Sequence, residues 1–327
     1  MTGRLFVRTE ASNAVGMGHF MRCYAIAEEA RARGIEVIFL LSAISDLVAA
    51  RCRRIGAEVR ATGALPSDDG DIVAAMLSAS DWLLIDSYQA TADYIAALHK
   101  AAHVGVVDDL TALPRYDCDL IVNAAQAASI EVYRARSSAR LLMGADYALI
   151  RREFRQPVTS ASAPSVAVMF GGSDPRQLTG GCAQLLRAAM PDVPLTIIAG
   201  PAHIHTDELR ALAEADPLMT LHVDPPSVAE VLAGASLVIT AAGGSVGEMA
   251  AMGLAALVLV LYDNQAAALQ ACPFPVIDAR ADLPADLGAR VKTLLDDPAI
   301  LKAIADKAHR IVDGKGAQRI VEAMFSV

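Results

Sequence analysis

The sequence is short of positive charge: its 28 Lys and Arg residues are outnumbered by 37 Asp and Glu, for a formal charge of −9. That balance cannot assemble a wide basic surface for nucleic acid or anionic lipid, so neither is expected as a partner. Any phosphate must be held locally, by backbone N–H groups and helix ends. Cysteine is sparse as well. Cys23, Cys52, Cys118, Cys182 and Cys272 are scattered, odd in number and without a CxxC pair. This argues against a disulfide framework and against a zinc site, and it suits a reducing cytoplasm. No HExxH, no GxSxG and no grouped His/Cys ligands occur, which leaves metal hydrolysis and a serine triad without support. The opening residues lead straight into a strand carrying Arg8 and Glu10, so no secretory leader is expected. A long uninterrupted apolar run is missing too. The most apolar region, 231–262, is broken by Gly243, Gly244, Gly247 and Glu248. It reads as buried strand, loop, helix and strand rather than as a membrane span.

What is present is ample core-forming material. At 327 residues and 54% hydrophobic, the chain is long enough for two domains with separate cores. Val-, Ile- and Leu-rich stretches at 4–8, 37–41, 82–86, 104–107 and 120–123 alternate with helical patterns. Such alternation marks a parallel sheet covered on both faces. A Pro/Ser/Ala segment at 155–164 lacks apolar periodicity and reads as a linker. Beyond it a second α/β unit begins, with strands expected at 166–170, 195–199, 237–240 and 257–261. From 283 onward the chain reads as helices to its end, one of them opened by Asp296-Asp297-Pro298. The expected domains are therefore 1–153 and 154–327, two similar α/β folds.

The most informative stretch is Val15-Gly16-Met17-Gly18-His19, followed by Arg22. It places a histidine at a glycine-loosened junction between a strand and a helix that runs to Arg33 and ends at Gly34. In the first helical turn, unpaired N–H groups and the positive end of the helix dipole disfavour a second positive charge. The imidazole is thereby kept in the neutral form that a general base requires. A capping or core histidine is the plain alternative, and glycines 16 and 18 weigh against it by removing side chains where a ligand would approach.

Other candidates sit at strand ends. In the first domain Asp86-Ser87-Tyr88 and Asp108-Asp109 follow apolar strands and so share the rim of the sheet with His19. The Asp pair reads either as helix capping or as part of a site. In the second domain two glycine-rich turns follow strands: Gly171-Gly172-Ser173-Asp174 and Ala242-Gly243-Gly244-Ser245. Bare N–H groups at a helix start suit a diphosphate, although neither turn matches GxxxxGK[ST] or GxGxxG. Glu248, three residues after Ser245, reads either as half of a capping box or as an acceptor for two ribose hydroxyls. Asn264-Gln265 reads as a helix start whose amides can also reach a diphosphate or sugar.

Taken in order along the chain, several motifs resemble the UDP-sugar hydrolases of pseudaminic acid biosynthesis (PseG type), relatives of the MurG-like glycosyltransferases with the GT-B fold. The residues that carry the resemblance are Arg8–Ser12, Gly16–Cys23, Asp86-Ser-Tyr88, Val107-Asp-Asp-Leu110, Tyr116–Asn123, Gly144–Arg151 with Glu153-Phe154, Phe170–Asp174, Ala242–Ser245 with Glu248, and Asn264-Gln265. The match spans nearly the whole chain. It implies two Rossmann-like domains facing across a cleft, and metal-free hydrolysis of UDP-2,4-diacetamido-2,4,6-trideoxy-β-L-altropyranose to UDP and the free sugar, with no cofactor. By the same resemblance His19 activates the attacking water, with inversion at the anomeric carbon, and Tyr88 sits beside the reacting sugar. Gly16, Gly18, Arg22, Asp108, Asp109, Asn123 and Arg151 then bind substrate. Gly171, Gly172, Ser173, Gly243, Gly244, Ser245, Glu248, Asn264 and Gln265 hold UDP. A monomer in the cytoplasm is expected.

Three positions depart from the family pattern. Glu10 stands where Asp is usual, Val246 replaces a common Thr, and Asn123 is followed by two alanines rather than polar residues. Two rival functions use the same features. One is a GT-B glycosyltransferase passing the sugar from UDP to an acceptor, although no basic-apolar patch for a membrane-bound acceptor is evident. The other is a non-catalytic nucleotide-sugar-binding protein, a reading under which His19 has no purpose.

Overall fold

The computed structural model describes residues 3–11, 17–125, 130–156, 158, 163–172, 174 and 176–325, with the side chain of Asn264 left aside. The expected site residues Gly16 and Ser173, and much of the 155–164 linker, lie outside the described residues. The chain forms two compact units, one running to Arg152 and resuming at Lys315, the other spanning Glu153–Gly314.

The first unit is built on a seven-stranded sheet: β1 (Leu5–Thr9), β2 (Val37–Leu41), β3 (Glu58–Ala61), β4 (Trp82–Asp86), β5 (His103–Val107), β6 (Leu120–Asn123) and β7 (Arg140–Met143). Its order is β3-β2-β1-β4-β5-β6-β7, and every pairing is parallel. Because side chains alternate across a strand, β1 feeds two cores. Leu5 and Val7 pack with Phe20, Tyr24 and Ile26 of the helix Gly18–Ala32, whereas Phe6 packs with Tyr94, Tyr116 and Tyr133 on the opposite face.

The last helix, Gly316–Phe325, corrects the expected division at 153/154. Ala317, Ile320, Val321 and Met324 belong to the same core as Leu5 and Val7, and so to the first unit. A Cβ on Gly316 would lie 2.3 Å from the Ala148 carbonyl oxygen, so only glycine permits that approach. Periodicity shows that a helix has an apolar face, but it does not say which sheet that face covers.

The second unit carries a six-stranded sheet of β8 (Val166–Met169), β9 (Leu195–Ala199), β10 (Met219–Val223), β11 (Leu237–Ala241), β12 (Ala256–Val260) and β13 (Val276–Asp278). Its order is β10-β9-β8-β11-β12-β13, again parallel throughout. As the sequence indicated, Asp297 caps the helix Pro298–Ile311, accepting from the N–H groups of Ala299 and Ile300, with the proline in the first turn.

Strand order decides where ligands bind. An open parallel sheet leaves a crevice at the carboxyl ends of the two strands where the winding reverses. That point falls between β1 and β4 in the first unit and between β8 and β11 in the second. His19 follows β1 and Asp86 ends β4; Gly171-Gly172 follow β8 and Gly243-Gly244 follow β11. The candidate chemistry therefore stands at the topological switch point of each sheet.

Candidate functional site

His19 is the second residue of the helix Gly18–Ala32, whose amino terminus has no side-chain cap. Gly18 before it is exposed, and a Cβ there would meet nothing within 4 Å. Parallel pairing sets Thr9 of β1 beside Asp86 of β4. The helix returning over β1 thus brings its first turn onto Asp86, and His19 Nδ1 lies 2.6 Å from Asp86 Oδ1. His19 is 8% exposed and Asp86 is fully buried.

Asp86 is surrounded by donors. Arg22, one turn along the same helix, grips both of its oxygens, Nε to Oδ2 at 2.5 Å and Nη2 to Oδ1 at 2.6 Å. The Cys23 thiol donates to Oδ2 at 3.4 Å. Burial by itself would raise the pKa of this carboxyl, but the hydrogen bonds from Arg22 and His19 outweigh it and hold Asp86 below the ordinary carboxylate range. Burial pushes the Cys23 thiol well up, so it stays protonated and can donate. An ionised Asp86 at 2.6 Å requires the proton of the imidazole to sit on Nδ1. The lone pair is then on Nε2, the arrangement a general base needs.

A second carboxylate closes a ring around this pair. Arg22 Nη1 donates to Asp109 Oδ2 at 2.7 Å, and the Tyr88 hydroxyl donates to the same oxygen at 3.1 Å. The Tyr88 ring meets His19 edge to face, with centroids 4.5 Å apart. Tyr88 is 59% exposed, so a large aromatic surface stands open beside the histidine. Burial, then the Asp109 charge, raises the Tyr88 pKa and keeps it a phenol.

Other expected site residues serve the rim in a different way. Asp108 Oδ1 accepts from the N–H groups of Leu110 and Thr111, and its Oδ2 accepts from the hydroxyls of Tyr116 and Tyr133. Asn123 is 3% exposed; it donates to Tyr133 and accepts from Ala125 N–H. Both therefore shape the loops after β5 and β6, and Asp108 organises an Asx turn rather than a helix cap. Burial pushes the Tyr133 phenol up to about 12, so it too remains a donor. Arg151 is half-buried just before the turn Arg152–Arg155. Glu10 faces inward: its carboxylate takes Arg8 at 2.6 Å and the Ser42 hydroxyl at 2.6 Å. Arg8, fully buried, also holds Asp69 at 2.7 Å, and the Tyr94 hydroxyl donates to the other oxygen of Asp69.

The two glycine turns of the second unit differ in what their helices have left to offer. After β8, Gly171 has φ +86°, which favours glycine, and the turn passes so near Gly200 that a Cβ there would lie 2.4 Å from Gly172 Cα. Asp174, 3% exposed, then takes the N–H groups of Leu178 and Thr179 and the Thr179 hydroxyl. The helix Leu178–Ala189 thus has its first two donors occupied. After β11, Gly243 and Gly244 are exposed and the helix Ser245–Met252 has no side-chain cap. Ser245 Oγ bonds Thr240 Oγ1 at 2.8 Å, and Glu248 N–H goes to the Gly244 carbonyl. The Ser245 hydroxyl therefore does not cap the Glu248 N–H. Gln265 lies in the turn Asp263–Gln265 beyond β12, where its Oε1 accepts from Leu261 N–H at 2.9 Å; Asn264 shares that turn.

Sequence reasoning placed Asp86 on the correct rim without giving it a role, and it passed over Cys23, Asp69 and the capping by Asp174. The available signal for Asp86 was a lone carboxylate closing an otherwise apolar strand. Among the described residues no group of three or more His, Cys, Asp or Glu is placed to hold a metal ion, and no helix is long and apolar enough to cross a membrane.

No family model matches the chain. It is 24% identical over 279 residues to the uncharacterized protein MJ1062 of Methanocaldococcus jannaschii; the alignment covers 80% of this chain but only 56% of that protein, so the chain spans about half the length of the relative it matches. Solved structures similar to it include MurG of Acinetobacter baumannii, with a TM-score of 0.64 and 15% identity, covering 99% of this chain and 100% of the other. Anabaena HepE in complex with UDP-glucose gives a TM-score of 0.66 at 14% identity, with 99% and 100% covered. The pneumococcal O-GlcNAc transferase GtfA in complex with UDP and GlcNAc gives 0.64 at 11% identity, with 99% of both chains covered. Together with the two doubly wound parallel sheets, these likenesses establish that the chain has the GT-B fold, two Rossmann-like domains.

Proposed function

We propose that the chain hydrolyses a UDP-linked 2,4-diacetamido-2,4,6-trideoxyhexose, the β-L-altropyranose, to UDP and the free sugar, with His19 as general base. The observation that carries the reading is the His19–Asp86 pair at the switch point of the first sheet. Nε2 takes a proton from water while the oxygen attacks the anomeric carbon. The bond from that carbon to the β-phosphate oxygen breaks with its electrons on UDP, and the sugar inverts. Asp86, held ionised, stabilises the imidazolium that forms. UDP is already a good leaving group, so no second carboxylic acid is required to protonate it.

The second unit holds the nucleotide in this reading. Its uncapped helix at Ser245, preceded by exposed Gly243 and Gly244, is suited to the diphosphate, and Glu248 to the ribose. That HepE and GtfA were solved with UDP supports a nucleotide-sugar substrate. The specific sugar rests on the motif resemblance. A glycosyltransferase is the second reading, favoured by GtfA being a transferase. The experiment is to incubate purified protein with a panel of UDP-diacetamido-trideoxyhexoses without acceptor and to follow UDP and the anomeric proton by NMR. Stoichiometric release of UDP and inverted free sugar is expected. Release only on adding an acceptor would replace hydrolysis by transfer.

A further inference from the structure

Arg22 reaches three groups at once. Nε and Nη2 hold Asp86, Nη1 holds Asp109, and Nη2 also lies 3.1 Å from Nδ1 of His19. This last approach matters chemically. A guanidinium can only donate. An Nη2–H turned onto Nδ1 would require the imidazole lone pair there and would put the ring proton on Nε2, the nitrogen a base must keep bare. Asp86, 2.6 Å from the same Nδ1, requires the opposite. Two neighbours therefore pull the ring toward opposite tautomers, and the orientation of the guanidinium decides between them.

What fixes that orientation from outside is Asp109, which lies in the loop after β5 with its side chain 35% exposed. We propose that Asp109 is a positioning residue for His19: by anchoring Nη1 of Arg22 it keeps Nη2 on Asp86 and off the imidazole lone pair, and so selects the Nδ1–H tautomer. Tyr88 reinforces the arrangement, because its hydroxyl shares Asp109 Oδ2 with Arg22 while its ring packs at a right angle to the imidazole. The groups facing His19 are then Arg22 from its own helix, Asp86 and Tyr88 from the end of β4, and Asp109 acting through Arg22.

The inference rests on the reading of His19 as general base, but its test does not need turnover. In the 15N-labelled protein, long-range 1H–15N spectra separate the two imidazole tautomers, and a His19→Gln sample assigns the signal. Wild type is expected in the Nδ1–H form. Asp109→Ala should bring the Nε2–H form to a comparable population, and Asp109→Glu should restore the wild-type pattern. In steady-state assays Asp109→Ala should lower kcat by about tenfold with KM within about twofold, the split expected when an interaction is lost in the transition state and not in binding. An unchanged Nδ1–H signature in Asp109→Ala overturns the proposal, as does a raised KM at unchanged kcat, which would make Asp109 a substrate contact. If wild type turns over no UDP-sugar, the hydrolase reading fails while the tautomer experiment still decides this one.

Discussion

His19 Nδ1 lies 2.6 Å from Asp86 Oδ1, across the two strands at which the first sheet reverses its winding. Neither residue is near the other in sequence, and the pairing exists because Thr9 of β1 and Asp86 of β4 stand side by side. A buried, ionised carboxylate that orients one imidazole nitrogen leaves the other to take a proton.

His19→Ala should abolish turnover and spare UDP binding. Loss of a general base costs about 10²–10⁴ in rate. UDP release by NMR and UDP titration by calorimetry check the two halves, and a variant keeping more than about a tenth of the wild-type rate removes His19 from the mechanism.

Asp86→Asn should lower turnover by a comparable factor and also change the pH dependence of stability. The Asp86 carboxyl is held below its ordinary range. Its stabilising contribution is therefore fully present above the unfolded value, about 3.9, and is lost as pH falls through the lower folded value. Thermal melts of wild type and variant should differ most at neutral pH and converge on acidification. A gap that stays constant down to strongly acidic pH would count against this.

Glu248→Ala should weaken UDP by roughly ten- to a hundredfold with less effect on the chemical step, since hydrogen bonds to a charged group are worth about 1.5–3 kcal/mol. A thermal melt of the variant beside the titration separates ribose binding from a structural role of the carboxylate, which lowers the melting temperature at nearly normal UDP affinity. Unchanged UDP affinity would sink the ribose assignment.

Activity should survive EDTA, because an uncapped helix end backed by two exposed glycines can carry the diphosphate charge. Complete loss on chelation, restored by Mg²⁺ or Mn²⁺, would contradict it.

Arg8→Met should destabilise the first unit by about 3–5 kcal/mol, because it strands Glu10 and Asp69 as buried carboxylates. Adding Glu10→Gln should recover part of that loss, and the non-additivity is readable by denaturant titration. Additive effects would show that Arg8 and Glu10 are not coupled.

The sequence by itself determined the α/β class, the two-unit plan and the central strands of both sheets. Strands such as Val37–Leu41 and Trp82–Asp86 are buried on both faces, so they must be continuously apolar and they announce themselves. Edge strands β3, β7, β10 and β13 went unnoticed, because Glu58–Ala61 and its counterparts are half in solvent and read as mixed polar sequence. His19, Arg22, Tyr88 and Asp109 were legible one at a time, from glycines before a helix and polar residues after apolar runs. Only the tertiary structure decided that Asp86 orients His19, that Asp108 and Glu10 spend their oxygens on the protein, that Asp174 takes the first two donors of one helix, and that the final helix returns to the first sheet. Local pattern records which surface of an element is apolar and which residues end it. The partner that each one meets is set by strand order and register, which bring together residues as far apart as Val7 and Met324 through interactions that no window of sequence contains.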